Sequence, residues 1–238
     1  MGEHIPVSEL NDWCLGLRYN RKKWTLSAEL FYKYNDERVR ATYSNYITES
    51  SKDLHDKLVS EKVRYIGGDF FVKYQDKGLL AWLSYTLSDF RIHNLEEEKE
   101  NNFTEGGELS ENKFVSFSNP IEYKYSQYDM RQELKAAVAY TWKQLTVSAS
   151  YVYGSGFKMW HQPSSVGAPD YSRLDVGAFY KFNLLNTKAE VGTSILNLLN
   201  RKNKKLDEFS RFGVGDDIVS YNTYGLKLTP TFFIKIAF

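Results

Sequence analysis

The sequence predicts an all-β fold: a segment of an antiparallel transmembrane β-barrel. Three observations predict it. Polar and apolar residues alternate with a period of two along most of the chain, which is typical of strands with two different faces. The connections between these stretches alternate between short and long. Aromatic residues make up 16% of the 238 residues, and 18 of them are tyrosines, which suit both strands and membrane interfaces.

The alternating stretches define the strands. In residues 173–182, for example, apolar side chains occupy every second position, and Arg173, Asp175 and Lys181 lie between them. About nine or ten strands are expected from such stretches, most of them near the roughly 9–11 residues that a tilted strand needs to cross a bilayer. The predicted spans are 13–20, 24–41, 61–75, 79–93, 129–141, 145–156, 172–182, 188–199 and 223–238.

The lengths of the connections alternate in step with the strands. The short turns are predicted at 21–23, 76–78, 143–144 and 183–187, and the long connections at 42–60, 94–128, 157–171 and 200–222. Outer-membrane barrels have short periplasmic turns and long extracellular loops. A soluble sandwich has no physical reason to sort its loops in this way. The alternation therefore predicts a membrane barrel and gives each strand a direction.

Aromatic residues near the short turns predict a girdle at the periplasmic interface. The expected members are Tyr19, Trp24, Tyr74, Trp82, Tyr140, Trp142, Tyr180, Phe182 and Phe238. One face of the strands is almost uncharged and is expected to face lipid. The other face is expected to face the lumen, and it carries Arg18, Glu29, Lys33, Asp69, Lys73, Glu133, Lys135, Asp175, Lys181, Glu190 and Lys235, with Cys14 on the same side.

The last nine residues, 230–238, form the clearest single strand. Phe232, Ile234, Ile236 and Phe238 are expected to face lipid, and Lys235 the lumen. A final strand that ends in an aromatic residue resembles the signal read by the outer-membrane insertion machinery. That machinery is therefore an expected partner, together with outer-membrane lipid.

The composition argues against several other classes. A net charge of +1 gives no reason to expect nucleic acid. The single cysteine excludes an internal disulfide, the four histidines have no ligand spacing, and no catalytic motif is recognisable. We therefore expect no enzyme activity, no metal and no cofactor. The first six residues show neither a basic region nor an apolar core of an export signal.

Several segments together resemble one family, the TonB-dependent receptors of Gram-negative outer membranes. Residues 82–88 resemble its W-x-S-Y-T-x-S strand, and residues 151–156 a strand that runs into a late loop. Residues 171–176 resemble a Y-x-R-L-D strand start, and residues 195–203 an N-L-F-N strand end in which Leu199 replaces the usual Phe. The ending at residues 229–238 completes the set. The resemblance covers residues 13–238 and leaves 1–12 as an N-terminal remnant or extracellular loop.

The resemblance implies an integral outer-membrane protein that imports a scarce nutrient, such as a metal chelate, cobalamin or a glycan. Such receptors are barrels of about 22 strands that enclose a plug. Nine strands are too few, so the chain is expected to be the C-terminal part of the barrel and not to transport alone. Its expected partners are the missing N-terminal barrel and plug, and the TonB complex through that missing region. The alternatives are a passive porin or adhesin-type barrel, and a soluble tyrosine-rich barrel for an apolar ligand.

A few residues are candidate contacts. Arg173, Asp175 and Lys181 are expected in the lumen, where they would contact a plug or bond within the wall. Trp160 and His161 lie in a predicted loop and would stack on a ligand or pack locally. The acidic run in 95–111 and the basic run in 201–205 would bind a cation and lipopolysaccharide respectively, or serve as solvated loops.

Overall fold

A computed structural model describes residues 8–41, 58–94, 123–126, 129–156, 169–184, 187–211 and 218–237. Within these ranges the chain forms twelve strands and no helix, and hence no helix that could span a membrane. The strands are β1 (Leu10–Arg21), β2 (Trp24–Ala41), β3 (Leu58–Asp76), β4 (Leu79–Asn94), β5 (Lys124–Tyr125), β6 (Gln132–Trp142), β7 (Leu145–Gly154), β8 (Tyr171–Leu184), β9 (Thr187–Leu196), β10 (Lys204–Arg211), β11 (Ile218–Tyr224) and β12 (Thr229–Ala237).

Nine long strands form one open antiparallel sheet in the order β1-β2-β3-β4-β6-β7-β8-β9-β12. The two-residue strand β5 adds to β4, and β10 pairs with β11 in a sheet of its own. Strands β1 and β12 lie at the two edges of the large sheet. The predicted all-β antiparallel class is therefore confirmed.

The strand boundaries differ from the prediction at the end of the chain. The predicted connection 200–222 contains β10 and β11, and the final strand begins at Thr229 instead of residue 223. Residues 204–211 mix charged and apolar types without a period of two. Their strand structure comes from main-chain pairing within a hairpin, for example between Phe209 and Ser220. Hydrophobic patterning cannot detect that kind of pairing.

Three of the short turns share a repeated hydrogen bond. In each of these turns a carbonyl oxygen accepts a hydrogen bond from a backbone N–H of the next hairpin. The Lys23 oxygen accepts from Gln75 (2.9 Å), the Gly78 oxygen from Thr141 (2.9 Å) and the Gln144 oxygen from Lys181 (3.0 Å). Gly78 has a φ of +87°, and a Cβ there would lie 2.4 Å from the Thr141 carbonyl oxygen. This turn therefore requires glycine, for its backbone conformation and for its close approach to the next strand.

The chain divides into two compact units. Unit 1 comprises Met1–Cys14, Phe31–Ile66 and Asp89–Ser126, and unit 2 comprises Leu15–Leu30, Gly67–Ser88 and Gln127–Phe238. Unit 1 has a small aromatic core, in which the ring of Tyr65 lies 4.8 Å from that of Phe31 and 5.5 Å from that of Phe90. The fully buried Glu61 forms an ion pair with Arg38 in the same unit. Such a buried carboxylate is stable because its charge is paired.

Candidate functional site

Unit 2 presents a broad exposed apolar face. Leu17 and Phe232 are 77% and 81% exposed, and Ile234 is 66% exposed. Other exposed apolar residues of this face are Leu15, Leu26, Leu30, Phe70, Val72, Leu83, Leu87, Val138, Leu145, Val147 and Val191. Large apolar side chains grouped on one exposed face are typical of a surface that is covered by an apolar partner.

The three described residues of the predicted insertion strand share this face. Phe232 is in register with Thr193, Ile234 with Val191, and Ile236 with Ala189. Phe238, the fourth residue of that prediction, lies outside the described residues. The alternation of β12 thus has the predicted form, and its role as an insertion signal stays a prediction.

Aromatic residues line the ends of the strands that meet the short turns. The rings of Trp24 and Tyr74 lie 4.7 Å apart, and the Lys143 ammonium lies 5.1 Å from the centroid of the Trp142 ring. Tyr19, Tyr140 and Tyr180 are also exposed at this level. The predicted girdle position of Trp82 is wrong. Its ring lies 6.4 Å from that of Phe71 on the opposite face, because residue 82 alternates with the exposed Leu83.

An ion pair joins two neighbouring short turns. Lys23 donates a hydrogen bond to Asp76, and this bond raises the pKa of the Lys23 ammonium above its ordinary value of 10.5. A raised lysine pKa stabilises the folded state below the ordinary pKa, and that contribution disappears as the pH rises through the folded value. The Lys23 ammonium is therefore charged throughout the physiological range. Exposure to solvent makes the pair a contact that fixes the turns and adds little stability.

The opposite face of unit 2 is polar, and its charges pair both between neighbouring strands and within one strand. Glu190 lies between Lys181 and Lys235 in the register of β8, β9 and β12, and the Lys181 ammonium is 3.9 Å from its carboxylate. Thr86 donates a hydrogen bond to Asp69, and Lys135 pairs with Glu133 at 2.9 Å. The predicted segregation of charge onto one face is thus present in this unit.

The predicted pair Arg173 and Asp175 lies on the polar face and bonds within the wall. Arg173 Nε donates to Asp175 Oδ2 over 3.0 Å. The other carboxylate oxygen, Oδ1, accepts from the backbone N–H of Asn197 over 2.8 Å. Both oxygens of Asp175 therefore already bond to the chain. Lys181 is different, because its side chain is 65% exposed and its ammonium is accessible.

A buried asparagine closes the end of β9. Asn197 is fully buried and has a φ of +51°. Its Nδ2 donates to the carbonyl oxygens of Arg201 (2.9 Å) and Leu226 (2.8 Å), and its Oδ1 accepts from the Arg201 N–H (3.1 Å). The side chain thus joins the end of β9 to the segment that precedes β12.

A second buried asparagine extends this network to β8. Asn203 Oδ1 accepts from the Ser172 N–H (3.0 Å), and its Nδ2 donates to the Ser172 carbonyl (2.7 Å), so the amide acts as a strand partner. Arg201 donates to the Ser172 hydroxyl (2.8 Å) and to Asp170 Oδ1 (2.6 Å). We call Asn197, Arg201 and Asn203 the asparagine latch. The sequence placed Arg201 in a basic run that would bind lipopolysaccharide or serve as a solvated loop, and the structure pairs Arg201 with Asp170.

Small side chains leave a depression on the polar face of unit 2. It has a volume of about 280 Å³. Its floor is formed by residues from β6 to β9, and Trp82 and Leu80 of β4 border it. The small residues are Ala137, Ala139, Ser148, Ser150, Gly177 and Ser194. A wall lined in this way permits close approach of another protein segment.

Gly192 lies beside this depression, and its lack of a side chain leaves room for the ring of Phe233. A Cβ on Gly192 would lie 2.4 Å from the Phe233 ring and 2.9 Å from Phe179 Cβ. We expect Gly192→Ala to lower the free energy of unfolding by about 1–3 kcal/mol, because the ring must leave its position. The matched control is Gly177→Ala, whose Cβ would meet the Ser148 hydroxyl at 3.3 Å. Urea denaturation in lipid vesicles measures both, and equal stabilities would contradict the prediction.

Trp160 and His161, the two remaining candidate residues, lie outside the described residues. Within the ranges that the structure does describe, no group of three or more His, Cys, Asp or Glu residues could hold a metal ion. The sequence predicted neither the asparagine latch nor a cluster in unit 1 in which arginine and histidine side chains contact tyrosine rings.

Comparison with solved structures identifies a similar fold. A chain in a structure titled "Structure of the FpvAI-pyocin S2 complex" aligns with 95% of this chain, at a TM-score of 0.58 and 13% sequence identity. FpvAI is a TonB-dependent receptor. The fold resembles a TonB-dependent receptor barrel. The aligned part is 27% of that FpvAI-complex chain, so this chain spans well under half of its length. No protein-family profile and no curated protein sequence matches.

Proposed function

We propose that this chain is the C-terminal barrel wall of a TonB-dependent outer-membrane receptor. The exposed apolar face of the open nine-stranded sheet carries this proposal, because lipid is the solvent that such a face requires. The likeness to a receptor barrel supports it. The receptor would import a scarce nutrient, as the family resemblance implies: a metal chelate, cobalamin or a glycan.

The two open edges support a larger barrel. Strands β1 and β12 each carry an edge with no partner strand among the described residues of the sheet. An open edge in lipid leaves main-chain hydrogen bonds unmade, so further strands must complete the barrel. We propose that the remaining strands of a roughly 22-stranded barrel pair at these edges. Transport would then require the completed barrel with its plug and the TonB complex.

The polar face would be the lumen wall in this proposal. The depression of small residues would receive the plug, and Lys181 would be the charged contact beside it. Arg173 and Asp175 would hold the wall, since they bond to each other and to the backbone of Asn197. Trp160 and His161 would belong to a ligand-binding extracellular loop.

Lipid contact can be tested with tryptophan fluorescence. Two single-tryptophan variants are compared in vesicles that contain brominated lipid, one retaining Trp142 on the apolar face and the other Trp82 on the polar face. We expect strong quenching of Trp142 and weak quenching of Trp82, because bromine quenches over short distances only. Equal quenching, or a monomer that stays folded without detergent or lipid, would contradict the proposal. A passive porin shares this result, but its uptake, unlike that of the complete receptor, survives loss of the TonB complex.

A further inference from the structure

One face of unit 1 carries a row of aromatic side chains. The rings of Trp13 and Tyr32 lie 5.6 Å apart, and those of Tyr32 and Tyr34 lie 6.4 Å apart and are stacked. Trp13 is largely exposed, and Ile66 of the same unit is 46% exposed. Tryptophan and tyrosine rings beside exposed apolar side chains are typical of the boundary between hydrocarbon and headgroups.

Cations follow this row along the same strands. Asp36 lies two residues after Tyr34 in β2, and Arg64 and Lys62 lie two and four residues before Ile66 in β3. The Lys62 ammonium is 3.6 Å from the Asp36 carboxylate, which places these alternating positions on one face. Two residues of a strand advance by about 7 Å. The face therefore changes from aromatic to charged within a distance comparable to the headgroup layer.

Two arginines of this face are held by tyrosine rings. The Arg64 guanidinium carbon lies 5.0 Å from the centroid of Tyr123, and that of Arg91 lies 4.7 Å from the centroid of Tyr125. The His93 ring lies 5.5 Å from the ring of Tyr123. Stacking fixes the plane of a guanidinium and leaves its edge free for a bidentate acceptor.

The hydrogen bonding of this cluster is incomplete. Arg91 donates to both carboxylate oxygens of Asp89, over 2.8 and 2.9 Å. Arg64 has no such carboxylate among the residues that the structure describes, and its buried Nε has no hydrogen-bond acceptor. The buried Nδ1 of His93 also has no partner in the described part of the chain. The Arg64 charge is therefore not balanced within the described part of the chain, so this cluster is suited to an added anion.

We propose that this face of unit 1 binds the phosphate-bearing headgroup of an outer-leaflet lipid, with Arg64 as the principal donor. The proposal rests on the proposed function, because it requires these strands to meet the membrane surface. A lipid is favoured over a soluble acidic partner because the cations adjoin an aromatic row that suits the interface. A phosphate is favoured because its oxygens match the fork of a stacked guanidinium.

The test compares two lipids that differ in phosphate alone. The chain, together with the strands that complete its barrel, is reconstituted in phosphatidylcholine nanodiscs that contain either bisphosphorylated lipid A or the same lipid without phosphates. Native mass spectrometry then measures the lipid that the protein retains. We expect preferential retention of the phosphorylated lipid, and a reduction of about tenfold for Arg64→Gln, the loss expected for one charged hydrogen bond.

Matched variants separate this site from general effects. Arg64→Lys should bind more weakly than the wild type but more strongly than Arg64→Gln, because it keeps the charge and loses the guanidinium fork. Arg91→Gln should also weaken binding, because it removes the positive charge that offsets the Asp89 carboxylate, which repels phosphate. This variant keeps the test valid if Arg64→Gln does not fold. Lys135→Gln, on the polar face of unit 2, should change nothing.

Each other outcome has a distinct meaning. Equal retention of the two lipids, or unchanged retention in both arginine variants, would overturn the phosphate site. If the chain inserts in that experiment, the proposed function still stands. Equal retention would indicate apolar docking on the aromatic row. Failure of the wild-type chain to insert into any bilayer when the strands that complete the barrel are present would overturn both proposals.

Discussion

Replacing Asn197 with alanine is expected to lower the free energy of unfolding by about 3–4 kcal/mol. The substitution removes three side-chain hydrogen bonds and leaves the Arg201 N–H and the Arg201 and Leu226 carbonyls without their partner. It also places alanine at a φ of +51°, where a residue other than glycine or asparagine is strained. Urea denaturation of the chain in lipid vesicles measures the change.

Asn200 provides the matched control. It has nearly the same backbone conformation, with a φ of +49°, but its side chain makes one exposed hydrogen bond, from the Leu228 N–H over 3.1 Å. Asn200→Ala should therefore lower the free energy of unfolding by about 1–2 kcal/mol, mostly through backbone strain. The difference between the two variants isolates the buried amide. Equal losses would show that the latch contributes no more than its backbone conformation.

Placing a charge on the apolar face is the second large effect. If this face lies in lipid as proposed, Ile234→Arg should lower the free energy of unfolding in a bilayer by about 2–4 kcal/mol, because an arginine in hydrocarbon must be desolvated or must distort the lipid. The residue points away from the polar face, and its cross-strand partner is Val191. The measurement is again equilibrium unfolding by urea in lipid vesicles.

Two control variants separate the effect of the charge from the effect of position and from the loss of the isoleucine side chain. Lys235→Arg places the same arginine on the polar face next to Glu190, and we expect almost no change. Ile234→Ala measures the loss of apolar contact without a charge. If the apolar face were in water, Ile234→Arg would be nearly neutral, because this side chain is 66% exposed. A neutral result would therefore favour the soluble barrel over the membrane wall.

The strands and faces of the sheet were predictable because they are local properties of the chain. A period of two over 172–182 predicted β8, which extends from Tyr171 to Leu184. The same alternation placed Phe232, Ile234 and Ile236 opposite Lys235, and the register of β12 with β9 has that arrangement. Trp82 was wrongly assigned to the girdle. Nearness to a turn predicts how far along its strand a side chain lies, but it does not predict which face of the sheet the side chain occupies. The hairpin of β10 and β11 was missed because main-chain pairing leaves no pattern of hydrophobicity.

The sequence by itself thus determined the all-β class, the short turns and the division into an apolar and a polar face. Tertiary structure decided which distant residues meet. The latch joins Asn203 to Ser172, which is 31 residues away, and the cluster of unit 1 brings Arg64 to Tyr123. Alternation specifies the face of each residue, but hydrogen bonds and ring contacts depend on strand register. Register is set by pairing between segments that are far apart in sequence, so these sites became visible only in the folded chain.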